Sequence, residues 1–306
     1  MIRIGTRKSK LALWQANQVK EELENLGQPS ELVLIESEGD QILDTPLPLM
    51  GGKGVFTKAL DDALIDGKID LVVHSFKDIP TDFPEEIQLC AVMKRGNPFD
   101  VLVVRKKADF TKNPNKYAII ATSSNRRRTQ WLDRYEKNEI CNIRGNIETR
   151  IKKLRESDWD GAIFAAAGLI RLNLEHEIYE VLDWMIPAPA QGAVAVICRA
   201  QDTEISVLCK TLNHLETAFC TQIERDFLNK LNGGCSAPIG AYAKIEAGMV
   251  ILKTLVMDLN GEIKIEVNLE KDYLLAHDLG IVAAKHALDR GAQEIIDRLP
   301  KEKRLH

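Results

Sequence analysis

The sequence predicts an α/β fold made of two domains of alternating strands and helices, followed by a smaller α+β domain. Three observations carry this. Short apolar runs alternate with stretches of helical period through the N-terminal part, the alternation restarts after Asn97-Pro98, and from Glu216 one long helix gives way to paired strands. A chain of 306 residues also exceeds what one hydrophobic core usually organises.

The elements follow in order. Ile2 to Gly5 reads as a strand, and Ser9 then caps a helix in which Ala12, Ala16, Val19, Leu23 and Leu26 recur at intervals of four and three, until Gly27 and Pro29 end it. Leu32 to Ile35 is a second strand, Phe56 to Ile65 a helix stopped by Gly67, and Ile69 to Val73 an unalternating strand of the buried parallel kind. Between them the Gly- and Pro-containing stretch from Glu38 to Gly54 is too long for an ordinary connection, and is a candidate mobile lid. The restarted pattern gives strands at Val101 to Val104, Tyr117 to Ala121, Ile140 to Ile143 and Ala162 to Ala165, with helices from about Arg126 and from Asn146. The last part gives a long helix from Glu216, a strand over Ile239 to Ile245, a hairpin of Val250 to Met257 with Lys264 to Leu269 across Asn260-Gly261, and an amphipathic helix running to Leu299. The residues themselves show no internal repeat.

Composition removes several classes of function. A net charge of −4 argues against general nucleic-acid binding, which needs broad phosphate neutralisation. No apolar run approaches the roughly 18 residues of a membrane span, and the N-terminus enters a strand at once, without a secretory pattern. The six cysteines form no C-x-x-C pair, which predicts free thiols in a reducing, cytoplasmic compartment. The scattered histidines predict no metal site.

The cations are placed unusually. A helix N-terminus is already partly positive, so arginine there is unfavourable unless an anion is bound. This chain does it three times, at Arg7-Lys8-Ser9, at Thr122-Ser-Ser-Asn-Arg-Arg-Arg128 and at Arg144-Gly-Asn-Ile-Glu-Thr-Arg150. Each follows a strand, where an open α/β sheet places its ligand crevice, and each mixes cations with hydroxyls or amides suited to carboxylate or phosphate. Arg171 is a candidate fourth contributor. Nucleotide motifs are missing: Gly51-Gly-Lys-Gly54 lacks the first glycine and the closing hydroxyl of a P-loop, and no strand precedes a G-x-G-x-x-G. A carboxylate-rich ligand is the expectation. Two further loops bear chemistry. His74-Ser-Phe-Lys-Asp-Ile-Pro80 puts Asp78 and Lys77 at the crevice, where an aspartate stabilises a developing cation or moves a proton; the bland alternative is a turn before Pro80. Asn232-Gly-Gly-Cys-Ser-Ala-Pro-Ile-Gly240 holds Cys235 between a proline and the glycines Gly233 and Gly234, which let the backbone take positive φ, a place for covalent chemistry if the thiol is not simply a small buried hydrophobe.

Taken together these residues closely resemble the porphobilinogen deaminase (hydroxymethylbilane synthase) family. The resemblance spans nearly the whole chain: Ile4-Gly-Thr-Arg-Lys-Ser-Lys-Leu-Ala-Leu-Trp14-Gln15, Gly39-Asp40 with Asp44-Thr45-Pro46, Gly51 to Gly54, His74 to Pro80, Thr122-Ser-Ser124 with Arg126-Arg127, Arg144-Gly-Asn146 with Thr149-Arg150, Ala190-Gln-Gly-Ala193, and Gly233-Gly-Cys235 with Pro238-Ile-Gly240. It implies two domains of periplasmic-binding-protein type and a third smaller one, with boundaries at 1–95 plus 191–212, 98–188 and 214–306, the segment after Gln191 returning to the first. It implies that four porphobilinogen units are deaminated and joined head to tail on a dipyrromethane cofactor. Cys235 would hold that cofactor by a thioether, and water would release the linear tetrapyrrole. Asp78 would be the catalytic group, assisting ammonia loss and stabilising the azafulvene-like cation. Cofactor contacts would come from Ser75, Lys77, Asp78, Thr122, Ser123, Arg126, Arg127, Arg144 and Gly145, and substrate contacts from Arg7, Ser9, Arg150, Arg171 and Gln191. A monomer is implied, with no nucleic-acid or membrane partner. Three positions depart from the usual family pattern: Phe76 for methionine, Asn125 for leucine and Ala190 for glycine. The competing expectation is a bilobal small-anion binding protein without catalysis, which explains the arginines and leaves Cys235 idle.

Overall fold

A computed structural model describes residues 1–36, 57–106, 110–234 and 237–299. The candidate lid at 38–54, with its Gly51 to Gly54 motif, and the candidate cofactor cysteine Cys235 lie outside the described residues.

The chain opens with β1 (Ile2–Thr6), α1 (Lys10–Asn25), β2 (Ser30–Leu34), α2 (Lys58–Ile65), β3 (Leu71–Ser75) and β4 (Ile87–Val92). It continues through β5 (Asp100–Val104), β6 (Ile119–Ala121), α3 (Asn125–Arg134), β7 (Glu139–Cys141), α4 (Ile147–Glu156), β8 (Gly161–Ala165), α5 (Ala166–Arg171) and β9 (Glu180–Leu182). Then come β10 (Val194–Arg199), α6 (Thr203–Lys210), α7 (Leu215–Lys230), β11 (Ile239–Glu246), β12 (Met249–Met257), β13 (Lys264–Asp272), α8 (Leu279–Asp289) and α9 (Ala292–Asp297).

The first sheet has the order β2-β1-β3-β10-β4 and the second β7-β6-β8-β5-β9. In each, three strands run parallel and the fourth and fifth positions reverse direction or pair with a strand that does: β10 is antiparallel to β3 and β4, and β5 to β8 and β9. The unit β1-α1-β2-α2-β3 thus has its counterpart in β6-α3-β7-α4-β8. This repeat is one of topology, invisible in residue identity. The antiparallel hairpins β11-β12-β13 form the third sheet.

Local causes are plain for several elements. The Ser9 side chain accepts from Ala12 N at 3.3 Å and caps α1, whose Ala12, Ala16, Val19 and Leu23 are buried against the first sheet. Strands β3 and β10 are apolar on both faces because cores lie on both sides of the first sheet, as they do on the second. The expected C-terminal helix is not continuous: Tyr273–Asp278 is a 3-10 turn, and Gly291 at φ 95° separates α8 from α9. Strands β4, β9 and β10 and helix α6 escaped the periodicity reading, since short buried runs carry no period of their own.

Two segments cross between the first and second sheets, at residues 93–99 and 186–193, and a single acid on α7 ties them. Glu224 is wholly buried and accepts from Arg95 Nη1 at 2.6 Å, Arg95 Nη2 at 3.1 Å, Ala190 N at 2.7 Å and Ala243 N at 2.7 Å. Arg95 Nε donates in turn to Gln191 O at 2.8 Å. Ala190 sits at φ 60°, a left-handed conformation that glycine adopts without cost, so the departure at this position is strained and depends on Glu224 to hold it. Phe76, the second departure, is buried with the Arg225 guanidinium 4.5 Å above its ring. Glu224→Ala would strand the Arg95 charge and two backbone N–H groups. It is expected to cost about 3–5 kcal/mol of stability, read as a fall in the urea midpoint.

Candidate functional site

A cavity of about 600 Å³ opens between the ends of the first and second sheets. Its walls come from the turn after β1 (Arg7 to Leu11), the turn after β3 (Ser75, Lys77, Asp78), the starts of α3 and α4 (Arg127; Arg144 to Glu148, with Arg150) and the segment from β8 into α5 (Phe164 to Arg171). These are the strand ends at which open α/β sheets bind ligands. Among the described residues of the lining, Arg7, Lys8, Lys10, Lys77, Arg127, Arg144, Arg150 and Arg171 face two carboxylates, Asp78 and Glu148.

The electrostatics record that imbalance. Burial pushes the Lys77 ammonium down to about 8, with Asp78 opposing and Arg127 adding to the fall. Burial, then repulsion from Arg127 and Arg144, lowers Arg150 to about 10, and burial alone lowers Arg171 to about 10. Arg127 and Arg144 are depressed in the same direction by burial. Buried His74, just behind Ser75, is held down to about 3 by burial and by Arg7, so it adds no charge near neutral pH. An anion entering this space relieves every one of those cations.

The predicted residues fall into two groups. Arg7, Ser9, Ser75, Lys77, Asp78, Arg127, Arg144, Gly145, Arg150 and Arg171 line the cavity together. Several are aimed by specific bonds: Arg150 Nε donates to Gly145 O at 2.7 Å, Arg171 Nη2 to Gly192 O at 2.7 Å beneath the Trp14 ring at 5.2 Å, and Gln15 Nε2 to Ser75 Oγ at 2.8 Å. Thr122, Ser123, Arg126 and Gln191 stand behind the wall. Thr122 Oγ1 accepts from Ser124 N at 3.2 Å, and Ser123 Oγ bridges Ile143 O and Ile143 N at 2.8 and 3.0 Å, so both hydroxyls shape the turn into α3. Arg126 is buried, its Nη1 bonded to Asp100 Oδ2 at 2.7 Å and Ile186 O at 2.8 Å. Gln191 is fully buried between Lys77 and Asp100.

Sequence reasoning missed Asp100, the anion that the arginine pair of α3 meets inside the protein. The available signal was an acid heading an otherwise apolar strand, Asp100–Val104. It also missed the ion pair of Lys10 with Glu148, which joins α1 to α4 across the cavity mouth.

Around Cys235 the structure reaches as far as Gly234 and resumes at Ala237. Positive φ was expected of the glycines there; the left-handed residue is instead Asn232, at φ 51°. Gly233 is closely packed: a Cβ there would lie 2.5 Å from Ile239 Cδ1 and 2.8 Å from Leu228 Cδ1, so both side-chain ends would have to shift.

Comparison with known proteins agrees with the geometry. The family model described as porphobilinogen deaminase, dipyromethane cofactor binding domain, matches residues 2–207, and the one for the porphobilinogen deaminase C-terminal domain matches residues 218–289. A porphobilinogen deaminase of Syntrophotalea carbinolica is 42% identical over 302 residues, covering 97% of this chain and 96% of the relative. Among solved structures, a periplasmic substrate-binding protein of an ABC transporter from Coxiella burnetii overlaps 71% of this chain and 95% of its own, at TM-score 0.44 and 16% identity. The VFT2 domain of BvgS from Bordetella pertussis, as a double mutant, overlaps 69% and 85% at TM-score 0.42 and 10% identity.

Proposed function

Because this chain belongs to the porphobilinogen deaminase family and is a hydroxymethylbilane synthase, we propose that the cation-lined cavity is where it builds its tetrapyrrole, with Asp78 as the catalytic group. The observation that carries this is the gathering of eight cations around Asp78 at the facing ends of two sheets. A reading as a bilobal anion receptor without catalysis is not favoured by these matches.

The cavity suits the family's dipyrromethane cofactor. Each pyrrole bears an acetate and a propionate, and the depressed Lys77, Arg127, Arg144 and Arg150 are the counter-charges such a group requires. When bound, dipyrromethane would supply the nucleophilic pyrrole carbon that takes the first unit, each later unit joining the free end of the chain. We assign Cys235 as its point of attachment.

The remaining chemistry falls to side chains. Arg7 and Ser9, on the turn after β1, and Arg171, at the end of α5, grip the carboxylates of incoming porphobilinogen, whose aminomethyl group then lies toward Asp78. The Asp78 carboxylate stabilises the cation left when ammonia departs and accepts the proton released as the ring regains aromaticity. Thr122, Ser123, Arg126 and Gln191 act from behind, fixing the turns that carry Lys77 and Arg127.

The described thiols, Cys90, Cys141, Cys198, Cys209 and Cys220, are free, and no described helix is long and apolar enough to cross a membrane. We place the protein in a reducing, cytoplasmic compartment, as a monomer. The direct test is intact mass after mixing with limiting porphobilinogen. A ladder of covalent species, each heavier by one pyrrole unit, is expected; cofactor-bearing protein that gives no ladder and no product would sink the reading.

A further inference from the structure

Asp100 is a heavily bonded acid behind the cavity, and no role yet belongs to it. It heads β5 where the chain has just crossed from the first sheet to the second, and it is wholly buried. Its Oδ1 accepts from Arg127 Nε at 2.9 Å and Gln191 Nε2 at 3.0 Å and pairs with Arg127 Nη2 at 2.8 Å, while Oδ2 accepts from Arg126 Nη1 at 2.7 Å. Despite full burial, the two guanidiniums hold this carboxyl well below the usual range, so it is charged throughout the working pH.

Gln191 carries the influence further. Its amide nitrogen donates to both Pro98 O at 2.8 Å and Asp100, which leaves Oε1 facing Lys77 Nζ at 3.1 Å. The oxygen can only accept, so this arrangement suits an ammonium that donates. Lys77 follows β3 of the first sheet and Arg127 lies on α3 beside the second, while Asp100 stands at the end of one crossing segment and Gln191 on the other. Arg127 is fixed on three sides, by Asp100 at Nε and Nη2 and by Ile163 O at Nη1, 3.0 Å away. Its two remaining N–H groups are what it has for a ligand.

We propose that Asp100, which does not line the cavity, is a positioning residue for the synthase reaction: it aims Arg127 directly and holds Lys77 through the Gln191 amide. This rests on the cavity being the reaction site. One buried carboxylate thereby sets the spacing of two ligand-gripping cations on opposite lobes.

The sign of the effect on Lys77 is fixed by its surroundings. Asp78 and Asp100 favour the charged ammonium, and Arg127 and Arg126 oppose it. The charged form grips carboxylate, so its contribution is lost as pH rises through about 8. Removing the Asp100 charge lowers that point, and the alkaline limb of kcat/KM moves to lower pH.

The experiment compares wild type, Asp100→Asn, Asp100→Glu and Gln191→Leu in two ways. One is the pH profile of kcat/KM. The other is the pH dependence of reductive methylation of Lys77 by formaldehyde and cyanoborohydride, read by peptide mass. Asp100→Asn and Gln191→Leu are each expected to shift both curves downward by about half a pH unit or more, with a roughly tenfold rise in KM for porphobilinogen, and Asp100→Glu to recover most of the loss. If Asp100→Asn does not fold, Gln191→Leu decides alone, since it leaves the arginine pair bonded. Unmoved Lys77 titration in the folded variants would overturn the proposal and leave Asp100 a purely structural ion pair. A methylation shift in a protein whose wild type makes no tetrapyrrole would keep the linkage and refute the assigned function.

Discussion

Asp78→Asn is expected to fold as the wild type does and to lose about 100-fold or more in turnover, the usual contribution of one well-placed electrostatic group. Asparagine keeps the size and hydrogen-bonding reach of the side chain while removing its charge, so the substitution separates cation stabilisation from positioning. The geometry favours a charge effect. Asp78 ends the short turn Phe76–Asp78 after β3, reaches the cavity beside Lys77, and its charge is felt by Lys77, Arg127 and Arg150. The turn itself is held from elsewhere. Arg225 Nη1 donates to Ile79 O at 3.0 Å and Arg225 Nη2 to Pro80 O at 2.6 Å, so the backbone does not depend on the Asp78 carboxylate. The variant should still carry dipyrromethane when given it as the preassembled linear tetrapyrrole, a route that bypasses deamination. Ammonia release in a single turnover with porphobilinogen is the measurement. Release and chain extension at the wild-type rate would make Asp78 a turn residue only.

That expectation was available from seven residues, His74 to Pro80, whereas the support behind the cavity was not. The difference is physical. Strand ends and helix starts announce themselves locally, because caps such as Ser9, Ser124 and Asn146 and the cations beside them must lie within a turn of the helix they serve. Arg7, Arg127, Arg144 and Arg150 were therefore legible as one anion site. Whether an arginine meets a ligand or an internal acid is decided by strand order, and Asp100 reaches Arg126 from 26 residues away only because β5 inserts between β8 and β9. The same holds for Gln191, which lies on a crossing segment and meets Lys77 and Asp100, and for Glu224, which meets Arg95 and Ala190 on those segments. Strand β10 shows the limit for the fold as well: Val194–Arg199 has no period of its own, and pairs between β3 and β4 from more than 100 residues away. Only the family resemblance anticipated its return.

Cys235→Ser should abolish cofactor retention altogether while leaving the fold intact. A thioether forms through the thiolate, and a serine hydroxyl, far less acidic and less nucleophilic, does not replace it at neutral pH. The described thiols are poor substitutes for attachment. Cys90, Cys198, Cys209 and Cys220 are buried, and burial pushes Cys141 up to about 11 and Cys220 up to about 12. None of these cysteines lines the cavity. The chain leaves α7 through left-handed Asn232 and close-packed Gly233, and neither feature involves a sulfur. Serine should therefore be tolerated structurally, with an unfolding midpoint close to that of cofactor-free wild type. The comparison must be with the cofactor-free protein, because a ligand held only by the native state adds its own stabilisation. Denatured wild-type protein from cells supplying porphobilinogen should stain for pyrroles with acidic aldehyde reagent and carry the mass of two pyrrole units. The serine variant should do neither. Staining of the variant as strong as the wild type would move the attachment to another nucleophile, and an unmodified mass for the wild type would remove Cys235 from the mechanism.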